Sequence, residues 1–207
     1  MARVVKKPEE RRREIVAMAQ KLFLEKEYEA TSLNDVVSAL GVAKGTVYHY
    51  FKSKEDLLDA VVSNMASDFL ELMQTKLKTK KGDALTQMKA LSSAMDVSAE
   101  WRSTMDQLHG PGNRGLHVRL LGALVRGISP IMADVIQKGC EEGTFKTDHP
   151  LEAAEVLLAG IQFVTDVGIY PWDKNELERR MSAIPALAEK FLQAPKGSLH
   201  FLGKSKK

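Results

Sequence analysis

A single cysteine, Cys140, in 207 residues excludes an intramolecular disulfide framework and fits a reducing compartment. Strand signals are nearly absent: β-branched residues lie scattered among Ala, Leu, Met, Lys and Glu, and no segment alternates apolar with polar for long. No apolar run approaches the ~18 to 20 residues of a membrane span, and the N-terminus is too polar for a secretory signal. The expectation is an all-α cytoplasmic protein with no membrane association. At 44% hydrophobic residues, a chain of this length can bury roughly 70% of its unfolded surface without a metal or disulfide staple.

The net charge of +3 conceals an uneven distribution. Residues 1–54 carry 11 basic and 7 acidic groups, residues 55–195 carry 15 and 20, and the tail from Lys196 carries 4 basic groups and no acidic one. Three regions follow: 1–54, 55–195, and a basic tail over 196–207 expected to be disordered.

Apolar spacing predicts a first helix from Pro8 to about Lys26, with Ile15, Met18, Ala19, Leu22 and Phe23 on one face. Ser32 with Asp35, and Ser53 with Asp56, have capping-box spacing, so helices should start near 33 and 54. Gly41 interrupts the chain after about two turns, giving a short helix, a turn and a second short helix. A helix to about Leu77 follows, then helices near 83–96 and 98–108, a break at HGPGNRG, and a long helix over 116–142 that Pro130 should kink. Asp148 and Pro150 open a helix to Val167. Asp173 with Glu176 caps the last, which Pro185 should bend or split.

Residues 36–54, VVSALGVAKGTVYHYFKSK, hold no carboxylate, where 27 acidic residues in 207 would place about 2.5. Lys44 falls in the first turn of its helix, where the macrodipole disfavours a cation, so its presence asks for an external anion. Leu33, Val36, Leu40, Val42, Val47 and Phe51 can pack inward on Ile15, Leu22 and Phe23, leaving Lys44, Gly45, Thr46, Tyr48 and Tyr50 exposed or partly so. A helix-turn-helix places its second helix in the major groove in this way, with phosphate contacts at the flanks.

The stretches RRREIVAMAQKLF, then Tyr28 with Thr31 and Ser32, then LNDVVSALGVAKGTVYHYFKSKEDLL resemble the DNA-binding domain of the TetR family of bacterial transcriptional regulators. KGCEEGTF, residues 138–145, resembles the end of that family's long ligand-domain helix. The resemblance implies recognition-helix roles for Lys44, Thr46, Tyr48, His49 and Tyr50. It implies phosphate contacts for Thr31 and Lys54 at the starts of the flanking helices. Glu27 departs from the family, which usually has Gly before the aromatic residue there. A non-Gly residue at a left-handed position costs about 1 kcal/mol, so the first helix is expected to end differently. Arg11, Arg12 and Arg13, with Lys6 and Lys7, read equally as a solvated helix start or as an arm reaching DNA.

Residues 78–193 show no nucleophile elbow and no phosphate-binding glycine loop, so no enzymatic activity and no cofactor is expected. His109 and His117 lie eight apart across a Pro-Gly break, which is no standard metal-ligand spacing, and Cys140 has no companion, so no metal site is expected. Met95, Trp101, Met105, Leu120, Leu124 and Phe163 are the candidate lining of an effector cavity with soft, adaptable walls. Asp96, Glu100 and Asp106 would select a cationic ligand, Arg119 and Arg126 an anionic one; each reads more simply as a solvent-facing charge.

The reading that results is a homodimeric repressor that binds a palindromic double-stranded DNA operator and is released by a small, mostly apolar effector. The dimer would form through the last two long helices. There Ala153, Ala154, Ala159 and Gly160 permit close approach, and Leu157, Ile161, Val164, Leu177, Met181 and Ile184 supply apolar surface. Two alternatives stand beside it. One is a helical carrier or enzyme of small apolar molecules with an incidental basic face; the other is a DNA-binding regulator without an effector.

Overall fold

Pro8, which has no N–H to leave unsatisfied, opens α1 (Pro8–Lys26) in the computed structural model, which describes residues 7–77, 82–95 and 99–203. Helices α2 (Leu33–Leu40), α3 (Lys44–Tyr50) and α4 (Lys54–Leu77) follow. Beyond them come α5 (Ala84–Ala94), α6 (Ala99–Leu108), α7 (Arg114–Glu141), α8 (Pro150–Thr165) and α9 (Lys174–Phe191). Short 3₁₀ turns occupy Pro111–Asn113 and His200–Gly203, and no strand occurs among the described residues. The expected all-α class is observed.

The chain packs as two units. One gathers the chain through Ser67 with Arg102–Leu120, and the other gathers Asp68–Trp101 with the chain from Leu121. The division by packing thus falls later than the boundary at 54 and takes a downstream segment into the first unit. Most of its core is built where the apolar spacing put it: Ile15, Ala19, Leu22 and Phe23 of α1, Leu33 and Val36 of α2 and Val47 of α3 are buried, with Phe51, Leu57, Leu58 and Val61, while Leu40 and Val42 are only half-buried. Met18 is only half-buried and Val16 takes an interior place.

Both capping boxes form. The Asp35 amide donates to Ser32 Oγ at 3.2 Å while the Ser32 amide donates to Asp35 Oδ2 at 2.7 Å. The Asp56 amide donates to Ser53 Oγ at 3.0 Å, and Asp56 Oδ2 accepts from both Lys52 and Ser53 amides at 3.0 and 3.2 Å. Gly41 closes α2 in the left-handed conformation, φ 62°. The two boxes set the starts of α2 and α4, and Gly41, whose amide donates to the Ser38 carbonyl at 3.2 Å, turns the chain between α2 and α3.

In the second unit, Met73, Met88, Leu91, Leu124, Ile128, Ile136, Phe145 and Leu158 are buried. Pro111–Asn113 and α7 together make 31 helical residues with an 18-residue stretch of mean hydropathy 1.3, long and apolar enough by composition to cross a membrane. The expectation of no such segment is corrected here. Scattered Gly, Ser and Arg hide the stretch when only unbroken runs are counted, and 44% of it is buried inside the protein.

Neither internal proline divides its helix, so α7 runs on through Pro130 and α9 through Pro185. Pro185 lacks the N–H that would bond the Met181 carbonyl four residues back. Gly203 packs against this turn: a Cβ there would lie 2.9 Å from the Met181 oxygen and 2.8 Å from Pro185 Cγ. The tail therefore corrects the expected disorder up to Gly203. Leu199 is 1% exposed, and its amide donates to Glu189 Oε1 at 2.9 Å. Residues 204–207 lie outside the described residues.

Candidate nucleic-acid interface

The polar residues of the carboxylate-free segment share the outer side of α3, while Val36, Val47 and Phe51 are buried. Lys44, Gly45 and His49 are exposed on α3, Thr46, Tyr48 and Tyr50 are half-exposed, and Val47 points into the core. Lys44 Nζ stands 5.2 Å from the Tyr48 ring centroid, and the His49 and Tyr50 rings meet edge to face at 5.1 Å. Lys52 Nζ donates to the Tyr48 carbonyl at 3.1 Å, placing another cation at the helix end. A row of cations and aromatic rims with no acidic side chain among residues 36–54 is matched to a polyanion.

Gly45 adds a signal that charge alone does not give. A Cβ there would meet nothing within 4 Å, so nothing inside the protein requires glycine, although glycine weakens a helix by about 0.5–1 kcal/mol. The α3 backbone is left bare on its outward side at this position.

Lys54 sits at the start of α4, half-buried, with Nζ donating to the Glu29 carbonyl at 3.1 Å and lying 4.2 Å from the centroid of Tyr28. Burial lowers its affinity for a proton, an effect that the Glu29 and Asp35 charges oppose. Burial likewise raises the Tyr28 phenol, with the Glu55 charge adding to it. A phosphate beside Lys54 would favour its charged form.

Thr31 departs from its expected place. It is 2% exposed, and its hydroxyl donates to the Glu27 carbonyl at 2.8 Å and the Leu22 carbonyl at 3.4 Å. Its amide donates to the Tyr28 carbonyl at 3.1 Å. With both donors used to tie down the end of α1, Thr31 is a positioning residue and no phosphate ligand. Its exposed neighbour Ser32 caps α2, with its amide and its hydroxyl both donating to Asp35 Oδ2.

Glu27 ends α1 at φ 65°, ψ 149°, close to a region that only glycine visits freely. Gly110 and Gly112 crowd its side chain; a Cβ on Gly112 would lie 2.5 Å from Glu27 Oε2 and 3.0 Å from its Cβ. Beside it, the Glu29 amide donates to the Gly112 carbonyl at 3.1 Å and the Tyr28 amide to Asn113 Oδ1 at 2.7 Å. Arg119 on α7 bridges Glu55 at 2.7 Å and Asp59 at 2.6 Å on α4, so it is an inter-helix clamp. The break at HGPGNRG thus anchors the helix-turn-helix at Tyr28 and Glu29, next to Lys54.

A model described as bacterial regulatory proteins of the tetR family matches residues 15–61, which hold this entire surface, and a tetracyclin repressor-like C-terminal domain matches residues 96–187. The fatty acid metabolism regulator protein of Bacillus subtilis is 30% identical over 174 residues, spanning 83% of this chain and 88% of that protein. The chain belongs to the TetR family of bacterial transcriptional regulators. Another TetR-family relative, the HTH-type transcriptional repressor KstR2 of Rhodococcus jostii, is 26% identical and spans 70% of this chain and 72% of its own. A solved TetR-family regulator of Syntrophomonas wolfei shares the fold with a TM-score of 0.61 at 21% identity, covering 88% of this chain and 96% of that one. As a TetR-family DNA-binding regulator, the chain carries its helix-turn-helix in α2 and α3.

The six residues expected to line an effector cavity are divided between the units, Met105 and Leu120 in the first and the others in the second. Leu120 and Leu124 are buried, while Met95, Trp101 and Met105 are half-buried, with Trp101 tilted against Phe69 at 5.1 Å. Phe163 is 42% exposed and meets Tyr170 edge-on at 6.0 Å, so its ring belongs to the apolar surface of α8. Asp96 lies outside the described residues, as does the side chain of Glu100.

Proposed function

We propose that this regulator is a repressor that binds a palindromic operator as a homodimer in the bacterial cytoplasm and leaves it when a small, mostly apolar molecule binds. The observation that carries the DNA half is the exposed cationic and aromatic face of α3, free of carboxylates from Val36 to Lys54. Lys44, Thr46, Tyr48, His49 and Tyr50 are assigned to the groove and its rims, and Lys54 to a flanking phosphate. One helix of seven residues reads too little sequence alone, and two copies about 34–36 Å apart meet successive major grooves.

For the effector half, Met95, Trp101 and Leu124 of the second unit offer apolar and adaptable surface, and α4 runs unbroken from Lys54 to Leu77. Tilting α4 would move α3 with it. The fatty acid metabolism regulator among its relatives makes aliphatic acids and their derivatives the first compounds to screen.

A gel-shift titration against the DNA flanking the gene, repeated across a salt series, tests the reading. Wild-type protein is expected to bind with a steep salt dependence, and Lys44→Ala to bind more weakly with a log–log slope smaller by about 1. Equal affinity and slope for the two proteins would overturn the assignment of α3.

A further inference from the structure

We propose that His109 and His117 bind a divalent transition-metal ion of the zinc type, and that the ion stiffens the segment anchoring the helix-turn-helix. Eight residues and a Pro-Gly break separate the two in sequence, but the 3₁₀ turn at Pro111–Asn113 folds the chain back between them. Their ring centroids are 5.0 Å apart with planes inclined at 47°, and a nitrogen of each lies within 4.8 Å of one on the other. Two imidazoles bound tetrahedrally at about 2.0–2.1 Å per nitrogen have centroids roughly 5 Å apart, which is the spacing of this pair. His117 is 2% exposed, while His109 is half-buried and leaves a path of entry. Leu108 and Leu116, both wholly buried, fix the backbone beside each ligand. Neutral imidazole suits Zn²⁺, Co²⁺ and Ni²⁺ better than the hard cations Mg²⁺ and Ca²⁺.

The residues enclosed by the pair give the ion a consequence. Asn113, wholly buried, accepts from the Tyr28 amide at 2.7 Å and donates from Nδ2 to the Gln107 carbonyl at 3.1 Å, and Gly112 receives the Glu29 amide. An ion joining residues 109 and 117 closes a loop around these anchors and restricts their motion. The arrangement in which α3 is presented is thereby favoured, and operator affinity rises with metal. This second half rests on the operator reading above; the metal site does not.

The experiment uses the full chain, stripped with chelator, dialysed, and titrated with ZnCl₂ by calorimetry and with CoCl₂ by visible absorption. One ion per chain with a micromolar dissociation constant is expected, weakened at least tenfold in His109→Ala and in His117→Gln. The half-exposed His109 keeps the test valid if His117→Gln fails to fold, with far-UV circular dichroism as the check. Absence of binding, or equal binding by wild type and His109→Ala, overturns the site. Operator gel shifts with and without ZnCl₂ should then show a severalfold gain for wild type and none for His109→Ala. Pair-dependent metal binding without that gain overturns the regulatory half alone. Failure to bind the flanking DNA under any condition overturns the operator reading, and the titrations still judge the site.

Discussion

Gly45 and Thr31 show how far a residue's chemistry can be read before its surroundings are known. Lys44, Tyr48 and Tyr50 were legible as outward-facing because their neighbours Val47 and Phe51 had to face inward. The burial of Thr31 was not, since its hydroxyl bonds a carbonyl nine residues back, a contact made only when α1 and α2 meet. For Gly45 the structure gives a prediction of opposite signs. Gly45→Ala should stabilise the fold by about 0.5–1 kcal/mol in thermal unfolding while weakening operator binding about tenfold, because a methyl group intrudes between backbone and duplex. A variant that gains stability and keeps full affinity would show that this backbone does not approach DNA.

Glu189 gives the residue scale its pH dependence. Its carboxyl is held below the usual carboxylate range by hydrogen bonds from the amides of Gly197 and then Leu199. A group whose folded affinity for protons is depressed stabilises the fold above its unfolded value and loses that contribution as pH falls through the folded one. The tail over 196–203 is therefore expected to loosen on acidification below the ordinary glutamate range. Hydrogen exchange at the Leu199 amide should accelerate there, and Glu189→Gln should show fast exchange already at neutral pH.

Among the elements, those with hydrogen-bonded caps were the most legible, because Ser32, Ser53 and Asp173 announce a helix start by local chemistry alone. Pro185 leaves α9 undivided, and Gly203 of the chain's own tail packs against its ring. Helix α1 was legible in its bounds, whereas its end at Glu27 was not, since the segment that accommodates it lies 83 residues downstream at Gly110. Gly112→Ala should cost about 1–3 kcal/mol in denaturant unfolding because the new methyl meets Glu27 Cβ. Glu27→Gly should remove most of that cost in the double variant. Additive effects in this cycle would show that the two positions do not share the space.

For the molecule as a whole, the apolar surface left on α8 and α9 asks for a partner. Val156 is 57% and Leu187 63% exposed, with Phe163, Val164 and Phe191 also above two-fifths. Ala153, Ala154 and Ile184, read from sequence as dimer surface, are buried within the chain, so spacing alone could not separate the stripe facing the core from the stripe facing outward. Val156→Glu with Leu187→Glu is expected to yield folded monomers in sedimentation velocity, because these side chains contribute little to the core of their own chain. A wild-type protein that is monomeric at micromolar concentration would refute dimerisation through this face.

The first unit is discontinuous in the chain, and this sets an order in time. Tyr28 waits for Asn113, 85 residues later, before its amide finds its acceptor, and Glu29 waits for Gly112. At a synthesis rate of about 5–20 residues per second, Tyr28 is made roughly 4–17 s before Asn113. During this interval the basic helix-turn-helix exists without its anchors, with the glycine-like backbone of Glu27 still unsupported. A nascent regulator therefore completes its DNA-reading end only after more than half of the chain has been translated.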